Sequence, residues 1–480
     1  MDAPHGAEVL KRLALAIALA SCSDGGIVVS PVIDEPTNAN ASAFPLDTLV
    51  VEVAHQGDAM DLESETFVSG QAVAMSGVPF GDDLVIHMTG SVGQSEVAYG
   101  RTCEFAVAAT SQPATPHLFF SRSVKFADLG IAFDPRSGGA AIADQHGAGL
   151  VLGGSEQGMP VTDVERFDPT TGERLVIAGV QPRIGAVAAA LGTTGVALIG
   201  GVDAMTGSDA TFIEVVDPDQ PDARRVDELD QTVTARTELT ATTLTAGDII
   251  VIGGLEGSAV SGEVDDVAIA NGSVSAIALH TQLVHSRHAH TATRLGNDEG
   301  APVLITGGLD GSGAPIAAAE LYKPLSEDFS STFAATMITP RSQHQAVRMP
   351  DNSVLVIGGV DANEMGVETL ELFSLDGGFV QAGSLPPTAG LTGFTATTLP
   401  DGRVLLTGGT RDGATPLSTA FIASLDPIDG SVDVVATDQL SIPRMNHQAT
   451  LLCDGTVLIT GGTDGTQIAE RYNPPSAGRR

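Results

Sequence analysis

The sequence predicts an all-β protein, an array of repeated antiparallel sheets preceded by a small β-sandwich. Three observations carry this. An apolar run closing on Gly-Gly recurs seven times, ending at Gly154, Gly201, Gly254, Gly308, Gly359, Gly409 and Gly462, with spacings of 47, 53, 54, 51, 50 and 53 residues. Seven copies at a near-constant period are units of construction rather than seven active sites. Glycine is abundant, 56 of 480 residues, and each interior glycine costs a helix about 1 kcal/mol relative to alanine. Ahead of the repeats, "DTLVVEVA", "TFVSGQAVAM", "DLVIHMTG", "SEVAYG" and "EFAVAA" alternate apolar and polar residues at strand spacing.

The last unit, residues 444–475, shows how each repeat is built. "HQATLL" reads as a strand and Asp454-Gly455 as the tight turn of a hairpin. "VLIT" is apolar on both faces, as suits a strand with sheets stacked above and below it. Gly461-Gly462 ends that strand where a Cβ would obstruct a sharp turn or a close approach. "IAERY" is the third strand, and other units add a fourth, such as "STFAATM" before Arg341.

Four short strands per repeat, Gly-Gly after the second and Glu-x-aromatic in the third, resemble the kelch motif over roughly residues 123–474. Arg-x-x-His recurs at Arg287/His290, Arg341/His344 and Arg444/His447, the arginine alone at Arg136, Arg183 and Arg236, while the sixth unit has Leu391 and Phe394. Glu-x-aromatic occurs at Glu165/Phe167, Glu320/Tyr322, Glu371/Phe373 and Glu470/Tyr472. It weakens to Glu214/Val216 and Asp266/Ala268 and is lost at Ala420/Ile422. The family's fourth-strand tryptophan is absent, with Phe126, Leu175, Ile277 and Phe333 near its place. The resemblance implies a seven-bladed kelch-like β-propeller over 123–480. Because the chain ends after a third strand, "SVKFADLGIAF" is expected to supply the outer strand of the last blade, closing a ring that would otherwise expose sheet edges.

The N-terminus reads as a leader. Lys11-Arg12 precedes an apolar run too short to span a bilayer, and Leu19-Ala20-Ser21-Cys22 resembles the lipobox of bacterial lipoproteins. The expected order is a lipoprotein-type signal peptide at 1–22 with Cys22 lipidated, a flexible linker at 23–44, an immunoglobulin-like or transthyretin-like sandwich at 45–122, and the propeller. This makes the protein exported, an outer-membrane or cell-surface lipoprotein meeting the membrane through its anchor only. Cys103 and Cys453 are the remaining cysteines. They fall in different expected domains, and their pairing is not the favoured reading.

Acidic residues number 59 against 23 basic ones, a formal net charge of −36, which disfavours nucleic acid as a partner. Against that background an arginine stands before the innermost strand of six units. In kelch-like propellers that place lies near a channel mouth, and some members grip acidic ligands there. The resemblance thus implies a ligand-binding ring of Arg136, Arg183, Arg236, Arg287, Arg341 and Arg444; the competing reading has each pair with an acid of the neighbouring blade, or cap loop carbonyls, to fix blade spacing. His280, His285, His288 and His290 lack a completing cysteine or carboxylate, so no metal is expected. No catalytic residue or cofactor is expected either. Galactose oxidase shares the architecture, but Tyr322 and Tyr472 occupy repeat positions and only Tyr99 remains. The expected function is non-enzymatic binding of a protein or glycan at the cell envelope, through the loops of one propeller face. The alternatives are a mutarotase-like carbohydrate-active enzyme in the funnel and a purely structural envelope protein.

Overall fold

The structure is a computed structural model that describes residues 26–476 apart from 59, 69–70, 109–113, 193–194, 211, 227–235, 246, 271–272, 331–332, 334 and 463–466. The leader at 1–22, with Cys22, lies outside the described residues. Among those described, the only helical element is the 3-10 turn Pro324–Ser326.

Seven four-stranded antiparallel sheets make up the larger part. In chain order their innermost strands are Ala140–Ala143, Val187–Ala190, Thr240–Thr243, Thr291–Arg294, Gln345–Arg348, Thr392–Thr398 and His447–Leu451, and the sheets are numbered one to seven accordingly. Each innermost strand neighbours the next, and that of sheet 7 neighbours that of sheet 1, so the ring is closed and the fold is a β-propeller. The second strands, such as Ile249–Ile252 and Val354–Ile357, are buried throughout. Each lies between two stacked sheets, which explains why they are apolar on both faces.

Sheet 7 takes its outer strand from the front of the repeat array. Lys125–Ala132 pairs antiparallel with Ile468–Asn473, Phe126 opposite Tyr472 and Asp128 opposite Glu470. The Phe126 and Tyr472 rings stand 4.9 Å apart, and both are buried. Of the other residues near the missing tryptophan, Phe333 packs on Phe373, whereas Leu175 is exposed.

Connections at the two ends of each sheet form two different faces. The hairpins joining first to second and third to fourth strands make one, called the hairpin face. The loops joining second to third strands, and one sheet to the next, make the other, the loop face.

The N-terminal unit is a six-stranded sheet in the order Ser121–Arg122, Ser95–Arg101, Gly81–Val92, Thr48–His55, Asp61–Val68, with Phe105–Val107 also on Gly81–Val92. It shares a core with two small pairs, Ile27–Val29 with Met75–Val78 and Val32–Asp34 with His117–Phe119. Here the expected linker at 23–44 needs correcting, for its described residues are structured. Ile27–Val29 and Val32–Asp34 are strands, and Val29, Ala41 and Ala43 are buried. Two runs of three apolar-rich residues suffice to cover an existing core, although the surrounding Pro, Asn and Ser suggest a tether.

The cysteines also require a correction. Cys103 and Cys453 form a disulfide, with Cα atoms 5.0 Å apart, across 350 residues of sequence. It fastens the N-terminal unit to the hairpin of sheet 7. Around it, the Asn473 side chain donates to the carbonyls of Tyr99 (2.7 Å) and Ser121 (3.0 Å). Buried Arg471 pairs with Asp454 and lies over the Phe119 ring, 4.3 Å from its centroid. The unit therefore sits on the hairpin face, against the seam where the ring closes.

Candidate functional site

The six arginines do converge on a repeated geometry, but not on an open one. Arg136, Arg183, Arg236, Arg287, Arg341 and Arg444 are each 1% exposed or less. Each pairs with an acid on the third strand of its own sheet. The pairs are Arg136–Glu165 (2.6 Å), Arg183–Glu214 (2.5 Å), Arg236–Asp265, Arg287–Glu320 (2.6 Å), Arg341–Glu371 (2.6 Å) and Arg444–Glu470 (3.2 Å). The acids are buried as well. This replaces the cationic ring at a channel mouth with internal staples, and it places the partner within the sheet rather than on the neighbouring one.

The reason lies in the Gly-Gly turn. Gly461 and Gly462 both have positive φ, 66° and 100°. A Cβ on Gly461 would stand 2.6 Å from the Arg136 carbonyl oxygen, closer than real side chains tolerate. So tight a turn withdraws carbonyls from the strand ladder, and a guanidinium has five donors to meet them. In sheet 5, Arg341 Nη1 donates to the carbonyls of Gly358 (3.1 Å) and Thr369 (2.9 Å). Its partner Glu371 accepts the N–H groups of Ile338 (2.8 Å) and Thr339 (2.9 Å) in the loop entering the sheet. Glu320, Glu214 and Glu470 hold their own entering loops likewise, at Val284, Gln181 and Ser441.

The backbone of the same residues joins one sheet to the next. The second glycine of each pair donates to the carbonyl of the residue opening the following sheet: Gly154 to Arg183, Gly201 to Arg236, Gly254 to Arg287, Gly308 to Arg341, Gly359 to Leu391, Gly409 to Arg444 and Gly462 to Arg136. These bonds run from 2.7 to 3.1 Å, and the last returns to the first sheet.

Burial governs the electrostatics. It pulls Arg287, Arg341 and Arg444 below the usual guanidinium value, opposed by their glutamates, and Arg236 down to about 10 against the fields of Glu263 and Glu256. His290, His344 and His447 are held down to about 3, chiefly by burial and then by the nearby arginines. They are neutral spacers whose Nε2 meets a threonine hydroxyl of the preceding sheet: Thr240 at 3.0 Å, Thr291 at 3.0 Å and Thr407 at 2.9 Å.

The remaining polar candidates disperse. His288 Nδ1 bonds Glu238 at 2.7 Å while His290 turns to Thr240, so the two do not share a site. No group of three metal-ligating residues occurs among the described residues. His447 and Glu470 have separate partners, Thr407 and Arg444. Register moves two third-strand positions: Val251 faces Asp265, and Leu406 faces Phe421. The third-strand pair is therefore Asp265/Val267 in sheet 3 and Phe421/Ala423 in sheet 6, one residue from where the sequence alone puts each. Among the described residues, no helix is long and apolar enough to cross a membrane.

No family model matches the chain. It is 28% identical over 139 residues to an F-box/kelch-repeat protein of Arabidopsis thaliana, covering 26% of this chain and 29% of that protein. The chain thus spans under a third of the relative's length. The structure of YjhT aligns with a TM-score of 0.48 at 12% identity, over 64% of this chain and 98% of that one. In the stretch it shares with the plant protein, the chain is similar to a kelch-repeat protein, and its repeats build a kelch-like β-propeller.

Proposed function

We propose that the chain is a non-catalytic interaction protein of the bacterial cell envelope, exported and tethered through Cys22, that holds a partner protein or glycan with the loops of one propeller face. The supporting observation is the internal use of the repeated polar residues. Six arginine–acid pairs and three histidines are spent on the sheets and their seams. What is left to vary and face solvent is the set of connecting loops, the part of a rigid scaffold that usually carries recognition. Similarity to a kelch-repeat protein supports the same reading, since such repeats typically serve protein association.

The test is a binding screen of the full chain against protein and glycan panels, with Arg287→Ala and Arg341→Ala alongside. Retained affinity in those variants, with a lowered melting temperature, is expected. Unchanged stability with abolished binding would restore the arginines as ligand contacts. An absence of ligands in both panels counts against the reading. The anchor is checked separately by metabolic labelling with a fatty-acid analogue, where Cys22→Ser should abolish incorporation.

A further inference from the structure

The two faces of the ring are unequal. The N-terminal unit occupies part of the hairpin face through Cys103–Cys453 and the Asn473 contacts. Asp34 also lies against the sheet 1 hairpin, where a Cβ on Gly172 would stand 3.2 Å from its carboxylate. The described residues of the loop face carry no such cover.

That open face has two properties together. It displays Met159, Met205, Val284, Ile338 and Met365, each between 57% and 75% exposed. Val284 and Ile338 are set there by the staples, because their N–H groups are the ones Glu320 and Glu371 hold. The face is also strongly acidic. Asp203, Asp310, Asp361 and Asp412 each follow a Gly-Gly pair and accept N–H groups of their own loop. The Ser312 hydroxyl and then the loop N–H groups keep Asp310 below the usual carboxylate range, and loop N–H groups do the same for Asp361 and Asp412, so all three are ionised. Glu156, Glu256 and Glu364 add charge. The opposing arginines are buried in the staples, and Arg411 is paired with Glu368.

We infer that this loop face docks a basic amphipathic segment of a partner protein, with its Lys and Arg groups on the loop carboxylates and its apolar side chains on Met159, Met205, Val284, Ile338 and Met365. The inference rests on the interaction reading above and names the face and the partner's chemistry. Methionine suits such a surface because its unbranched thioether chain adapts to irregular apolar shapes. The carboxylates would steer a cationic partner and reject anionic ones such as nucleic acid.

The probe is a synthetic amphipathic Lys/Leu peptide, titrated into the full chain by fluorescence anisotropy. Binding is expected, weakening about tenfold or more between roughly 50 and 300 mM salt. Met159→Ser/Met205→Ser/Met365→Ser should weaken it about tenfold with the melting temperature unchanged, since exposed side chains contribute little to folding. Glu156→Gln/Glu256→Gln/Glu364→Gln should weaken it and flatten the salt dependence. Glu299→Gln/Asp376→Asn/Asp433→Asn, away from the loop face, is the charge-matched control and should change neither. No binding by the wild type, or equal losses in the control and loop-face charge variants, overturns the proposal. A ligand from the protein panel that ignores both loop-face variants also sinks this site while leaving the interaction reading standing; only the absence of any panel ligand sinks both.

Discussion

Sheets 5 and 6 stand side by side and solve the same problem by opposite chemistry. In sheet 5 the turn carbonyls are met by Arg341, and Arg341 by Glu371, both buried. In sheet 6 the arginine position is Leu391 and the acid position is Phe421, and these two pack in one apolar cluster. Neither half of the pair is changed alone. The histidine changes with them, to Phe394, whose ring lies against Gly358 as that of His344 lies against Gly307. Sheet 6 keeps its cation at the rim instead, where Arg411 donates to the Ala389 carbonyl (2.9 Å) and pairs with Glu368 of sheet 5. Together these substitutions identify the arginines as parts of a unit that stands or falls together. A buried ion pair gains little over a well-packed apolar pair, but half of one is costly.

The sharpest way to break the comparison is to leave sheet 5 with half a pair. Arg341→Ala strands Glu371 in the interior and frees the carbonyls of Gly358 and Thr369. A loss of about 3–5 kcal/mol is expected, read from urea denaturation at neutral pH. Leu391→Arg, which inserts a buried cation opposite Phe421, should cost sheet 6 a similar amount. A loss under about 1 kcal/mol for either would mean the sites relax or hydrate, and the staple would not be a structural unit.

Much of this was legible in the sequence because it repeats. The Gly-Gly period marked the sheets, and the arginine before six of the seven innermost strands marked one half of the staple. The other half was harder to place. Asp265 and Asp266 are adjacent acids, and with no aromatic residue two positions on, only strand register chooses between them. In sheet 6 the acid is gone, so no residue pattern sets Phe421 opposite Leu406. Whether a recurrent arginine faces a channel or its own sheet is a question of side-chain direction, and spacing is silent on it. The Cys103–Cys453 bond was hidden for a related reason: a separation of 350 residues says nothing of distance once a ring brings its ends together.

Acid sharpens the contrast, because sheet 6 has no imidazole to titrate at that position. His344 is held near 3 in the folded protein, against about 6.5 in an unfolded chain. As pH falls, the unfolded chain takes up the proton first. The stability supplied by the neutral ring is therefore complete above about 6.5 and is lost progressively as pH falls toward about 3, at up to ~1.4 kcal/mol per pH unit for each such histidine. His344→Phe copies sheet 6 and removes one of these protons. Between pH 6.5 and 5 the variant should lose about 2 kcal/mol less than the wild type. Equal losses would show that His344 already accepts the proton in the folded state.

The smallest effect is expected where both halves of the staple are exchanged together. Arg341→Leu/Glu371→Phe rebuilds sheet 5 in the image of sheet 6 and should recover most of the loss from Arg341→Ala, ending within about 1–2 kcal/mol of the wild type. Full recovery is not expected, because sheet 6 differs in its backbone too. Its second strand runs through the glycine pair as Val404–Thr410 and its first is Thr392–Thr398, with Phe394 opposite Gly408 and Thr392 opposite Thr410. In sheet 5 the corresponding strands are only Gln345–Arg348 and Val354–Ile357. At this turn of sheet 6 the Gly408 N–H meets the carbonyl of Thr419, which corresponds to Thr369, and the Leu391 N–H meets that of Thr410. The double variant would leave the carbonyls of Gly358 and Thr369, and the N–H groups of Ile338 and Thr339, without those partners. Its residual loss therefore measures the worth of the longer ladder, separately from that of the apolar pair. A double variant no better than Arg341→Ala would refute the equivalence of the two sheets and return a specific role to the charge.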